Sequence, residues 1–149
     1  MTAKDCIASL LEHHAPARLL VIGEPPMPPE TGADVTCVAV HAATTELATL
    51  GRFDFAVVSG LLERLAASEA ESVLGRLKNL HTDKFVLLVD PARSSLEHDT
   101  LLALALAPFE HLDDGRVAWR YDIDRYNPER RWNNPEDWAN PENFDKYRW

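Results

Sequence analysis

The chain has 149 residues, a formal net charge of -9 and 46% hydrophobic against 26% charged residues. That length carries one domain, in which roughly 70% of the unfolded chain's surface can be buried without help from a metal or a disulfide. The acidic balance excludes a general nucleic-acid or anionic-lipid binder, because neutralising phosphate needs a basic surface.

In chain order, residues 3–14 place Cys6, Ile7, Leu10 and Leu11 at helical spacing, and Pro16 closes that pattern. Residues 18–23 (RLLVIG) form a continuous apolar run, the mark of a buried strand. The segment 24–32 (EPPMPPETG) is a proline-rich loop that cannot be a helix interior. Residues 35–40 (VTCVAV) read as a second strand, with Cys37 as a small buried core residue. A short helix is expected over 44–50, and a third strand over 53–59 (FDFAVVS). Residues 61–80 read as a helical turn and then a longer helix, with Ser68-x-x-Glu71 as its capping box. A fourth strand covers 84–90 and stops at Pro91. Residues 96–107 read as a helix that Pro108 ends, and 115–123 as the last strand. Apolar strands separated by helices predict a mostly parallel sheet of about five strands.

The chain has a second part. All four Trp and all three Tyr lie after residue 118, and with Phe144 the last 31 residues hold eight of the twelve aromatics. Asn-Pro recurs there at 127–128, 134–135 and 140–141, which favours turns over a long helix. We therefore divide the chain into a core at 1–118 and, from 119 to 149, the end of the last strand followed by an aromatic C-terminal arm. A tail so rich in rings covers a bare sheet face or edge of its own core or engages a second copy or another protein; stacking on single-stranded nucleic acid is a third alternative, which the acidic total disfavours. Trp132, Trp138, Phe144, Tyr147 and Trp149 are its candidate anchors.

Residues 52–90, with Phe53-Asp54-Phe55-Ala56-Val57-Val58 leading through Ser59-Gly60 to LLERL, resemble class I S-adenosylmethionine-dependent methyltransferases. Leu19-Leu20-Val21-Ile22-Gly23 looks like that family's first strand and the opening glycine of its cofactor loop. The resemblance covers about residues 18–120 and implies a reduced Rossmann-like methyltransferase fold with flanking helices. The whole chain also resembles a small uncharacterised proteobacterial family, a likeness that implies no activity.

The departures from the methyltransferase pattern fall on the cofactor site. The resemblance implies a glycine-rich loop after the first strand, whose backbone N–H groups face the cofactor carboxylate. Here Gly23 is followed by Glu24-Pro25-Pro26-Met27-Pro28-Pro29, and proline has no N–H to give. The family's acid within the first strand is matched by Val21. Its ribose-binding acid after the second strand is matched by Val38-Ala39-Val40-His41, which holds no carboxylate. Losing an acceptor from such a site costs on the order of 1–3 kcal/mol per charged hydrogen bond. The expectation is a non-catalytic, methyltransferase-like pseudoenzyme of the cytoplasm without a cofactor, acting as a dimer or with a protein partner. The alternative is a divergent S-adenosylmethionine-dependent methyltransferase, or another small-ligand enzyme at the carboxyl edge of the sheet.

A pocket at that edge would be lined by Gly23, Glu24, His41, Ser59, Gly60 and Glu63. No HExxH or CxxC pattern points to a metal, and His13-His14 and Glu97-His98-Asp99 read as surface groups. No run approaches 18 apolar residues, so no membrane span is expected, and the N-terminus lacks signal-peptide character. With only Cys6 and Cys37, a disulfide framework is not expected.

Overall fold

The computed structural model describes residues 1–27 and 32–123. Helix α1 (Ala3–His14) opens on Thr2, whose side chain accepts from the Asp5 amide, and closes on Ala15 in a left-handed conformation. Strand β1 (Arg18–Ile22) follows, then β2 (Asp34–Val38), with no helix among the described residues between them. A tight turn at Val40–Ala42 leads into α2 (Ala43–Glu46) and a second turn at Leu47–Thr49. Next come β3 (Phe55–Ser59), α3 (Leu61–Arg64), α4 (Ala67–Arg76) with a wide turn at Leu77–His81, and β4 (Lys84–Val89). Helix α5 (His98–Ala103), β5 (Ala107–His111) and β6 (Val117–Asp122) complete the described chain.

The six strands form one mixed sheet in the order β2-β1-β3-β4-β6-β5. The contacts β2–β1, β1–β3 and β3–β4 are parallel, whereas β4–β6 and β6–β5 are antiparallel. The expected sheet of about five strands is thus short by one, and the helix expected over 96–107 is split. Its middle is α5, and its end feeds β5. Leu104 turns, Ala105 takes φ +70°, and Leu106 is buried before the edge strand begins. Pro108 does not end a helix but sits inside β5, which an edge strand tolerates.

Alternating strand residues feed two cores. Leu20, Ile22, Ala56, Val58, Phe85, Leu87, Trp119 and Tyr121 face α2 to α5. Leu19, Val21, Phe55, Val57, Val86, Leu88 and Ala118 face Cys6, Ile7 and Leu11 of α1. Both faces of β3 and β4 are therefore covered, and their continuous apolar runs follow from that. Two local readings are corrected. Cys37 is exposed, because β2 is an edge strand and its α1-side face is open, as the exposed Val35 also shows. Ser68 is no cap: α4 starts at Ala67 on Ala66, without a side-chain cap bond.

Asp54 ties the start of β3 to β1. Its Oδ2 accepts from the amides of Ala17 and Arg18, each at 2.9 Å. Because Asp54 is exposed, Asp54→Ala is expected to cost only about 1–2 kcal/mol of stability. A urea melt checks this, and an unchanged midpoint would show that the two amides are equally well served by water.

Candidate functional site

The chain turns from β1 to β2 on one side and, through α2, reaches β3 on the other, so the switch point of the sheet lies at the carboxyl ends of β1 and β3. In doubly wound sheets this is where ligands bind. Gly23 leaves β1 at φ +87°, and its amide donates to the Val38 carbonyl at 2.9 Å. A Cβ on Gly23 would stand 2.0 Å from the Ser59 carbonyl oxygen and 3.3 Å from Val40 Cγ2. Gly60, at φ +79°, forms the turn after β3, and a Cβ there would meet the same Val40 methyl at 3.7 Å. Val40 is 2% exposed and packs between the two glycine turns.

Of the six residues expected to line a pocket, Gly23, Ser59 and Gly60 come together around Val40. Glu24 and His41 are exposed, His41 lying in the turn Val40–Ala42. Ser59 is buried, and its Oγ is approached by Arg116 Nη1 at 3.4 Å. Arg116 is held by Asp114, with Nε and Nη2 at 2.9 and 2.8 Å from Oδ2. That hydrogen bond holds the Asp114 carboxyl below its ordinary pKa. Glu63 looks across to the next strand end: its Oε2 accepts from the Asp90 amide at 2.6 Å. The other oxygen, Oε1, is buried and has no hydrogen-bond partner among the described residues. The described residues contain no cluster of three or more His, Cys, Asp or Glu able to hold a metal. Among them, no helix is long and apolar enough to cross a membrane.

Other cavities among the described residues lie elsewhere. One of about 680 Å³ opens at the amino edge of the sheet between Pro16, Arg18, Phe53, Asp54 and Asp83. A smaller one of about 210 Å³ adjoins it beside α1, lined by His14, Phe55 and Tyr121 among others. His14 stacks on Phe55 there, and burial, then its neighbours His13 and Lys84, push its pKa below the ordinary histidine value. Another, of about 470 Å³, lies between the end of β4, α5 and the β5–β6 pair. Sequence reasoning did not find it, because its walls come from four separate elements and share no local motif. The proposed anchors Trp132, Trp138, Phe144, Tyr147 and Trp149 lie outside the described residues.

The fold is similar to that of solved domains, one of them a methyltransferase domain. The N-terminal domain of EvdMO1, solved in the presence of SAH and D-fucose, matches at a TM-score of 0.54 and 14% identity, over 79% of this chain and 81% of that one. The methyltransferase domain of bacterial CtHen1 matches at a TM-score of 0.51 and 8% identity, over 79% of this chain and 96% of that one. At such identities the likeness concerns the fold, which does not fix function. No curated protein matches the chain. The model of a family of unknown function, DUF6231, matches residues 1–149, and the chain belongs to that family.

Proposed function

We propose that this methyltransferase-like protein lacks the usual S-adenosylmethionine site and acts by binding or assembly, with the aromatic C-terminal arm within residues 119–149 as its contact element. The observation that carries this reading is the closed switch point, where Val40 fills the space between Gly23 and Gly60. The surroundings support it. Pro25 and Pro26 follow Gly23, and no helix N-terminus follows β1 among the described residues to receive a carboxylate. The end of β2 offers Val38, Ala39 and Val40 where a diol would need an acceptor. These residues do not fit the cofactor. The contact role rests on the composition of the arm, in which rings alternate with Asn-Pro turns. The free thiols of Cys6 and Cys37 support a reducing compartment, the cytoplasm.

One observation favours a second reading, a divergent S-adenosylmethionine-dependent methyltransferase or another small-ligand enzyme. The buried, unpartnered Oε1 of Glu63 stands beside the carboxyl edge, where a ligand's donor could satisfy it. Calorimetric titration with S-adenosylhomocysteine separates the two. Our reading expects no saturable heat, and saturable binding in the micromolar range would establish the second reading in its place.

A further inference from the structure

We propose that the cavity between β4, α5 and the β5–β6 pair is a binding site for a flat bicyclic aromatic molecule that carries a hydrogen-bond donor, such as a ring N–H. It lies on the far side of β4 from the closed switch point, so it is independent of the cofactor question.

Size and lining come first. A cavity of about 150 Å³ is enough to hold benzene, and two fused rings fit comfortably in about 470 Å³. Val89, Leu96, Leu101 and Trp119 are each under 8% exposed and form an apolar floor. Above them stand three groups able to accept a hydrogen bond: the Glu97 carboxylate and the imidazoles of His98 and His111. Ser94 is engaged locally, its Oγ donating to the Leu96 carbonyl and accepting from the Leu96 amide. An apolar enclosure with a few convergent polar groups is the general form of a small-molecule site.

The local backbone supplies a second, independent observation. Pairing of β5 with β6 shifts register once: Pro108 stands opposite Trp119, Glu110 opposite Ala118 and His111 opposite Val117. In a regular strand, residues 108 and 111 would point to opposite faces. The extra residue at Phe109 returns His111 to the face of Pro108, Val117 and Trp119, and so turns an imidazole into the cavity. Bulges of this kind re-aim side chains and are over-represented next to active sites. From the opposite wall, the His98 ring meets the Trp119 ring at 5.0 Å in a T-shaped pair, which holds the indole in the apolar floor.

The occupant follows from this chemistry. An apolar floor that includes an indole suits a flat ring. The Glu97 carboxylate can only accept and an imidazole ring nitrogen can accept as well, so a ligand N–H finds partners there, and His111 is the one that the bulge presents.

The test titrates the full chain with indole and with 1-methylindole, which lacks the N–H, and follows heat and the Trp119 indole N–H chemical shift. Indole is expected to bind and shift the Trp119 signal. Removing one such hydrogen bond through His111→Ala is expected to weaken indole roughly five- to tenfold and leave 1-methylindole unchanged. Val117→Trp, which fills the cavity, should abolish both. His111 is exposed, so its replacement leaves the core intact and keeps the test valid should the filled variant fail to fold. The proposal is overturned if neither compound binds at about 1 mM, the weak end of specific affinity. It is also overturned if indole binds without moving Trp119, or if His111→Ala weakens both compounds alike.

Discussion

Gly23→Ala is expected to lower the stability of the protein by about 3–5 kcal/mol, a backbone collision adding to conformational strain. The added methyl would stand 2.0 Å from the Ser59 carbonyl oxygen. That oxygen cannot swing aside as a side chain would, because Ser59 is held in the ladder opposite Leu88 of β4. The residue also sits at φ +87°, where an L side chain is itself unfavourable. Gly115 is the internal control. It has φ +91° but nothing within 4 Å of its added methyl, so Gly115→Ala meets only the strain, about 1–2 kcal/mol. Urea denaturation of both variants isolates the collision. If Gly23→Ala is no worse than Gly115→Ala, β1 and β3 do not meet as tightly as described, and the switch point is not closed.

The second large effect concerns association. The full chain is expected to sediment at twice its 16.7 kDa mass or with a bound protein partner, and a chain ending before residue 125 is expected to lose that state. Interface anchors of the Trp and Tyr type are often worth about 2 kcal/mol each, so losing two of them should weaken association at least a hundredfold. A full-length chain in which Trp132, Trp138, Phe144, Tyr147 and Trp149 are replaced by serine should behave like the shortened one. A full chain that is monomeric and partnerless would contradict the contact role, and so would a shortened chain that stays folded and equally associated.

Much of the fold was legible because burial on both faces leaves an unmistakable apolar run. Leu19–Ile22, Phe55–Val58 and Phe85–Val89 are read correctly for that reason, and α1 is read from Cys6, Ile7 and Leu11 together with Pro16. The failures lie at the sheet's edges and at the start of α4. Strand β5 was hidden because Leu101 to Ala107 is apolar enough to continue a helix, and only the left-handed Ala105 shows where the helix stops. Cys37 looked buried because its strand is apolar, but an edge strand can leave one face open. Ser68 and Glu71 have the spacing of a capping box, yet the helix begins one residue before Ser68, so neither side chain is placed to cap it.

The candidate site divides in the same way. The switch point was readable from Gly23, the prolines after it and the missing acid after β2, because each is a local departure from a known pattern. What the sequence did not foretell is that Val40 turns inward and fills the space while His41 faces out. The cavity under α5 was not readable at all, since His111 reaches it only through a register shift in a strand that had not been recognised.

The most direct test of the closed switch point is a thermal-shift titration of the full chain with S-adenosylmethionine and S-adenosylhomocysteine. A ligand at about 100 times its dissociation constant adds about 2.7 kcal/mol, which for a domain of this size raises the melting temperature by roughly 5–10 °C. The closed switch point predicts no shift with either compound at millimolar concentration. A clear, saturable rise would contradict it, and would mean that Val40 and the proline loop yield to the cofactor.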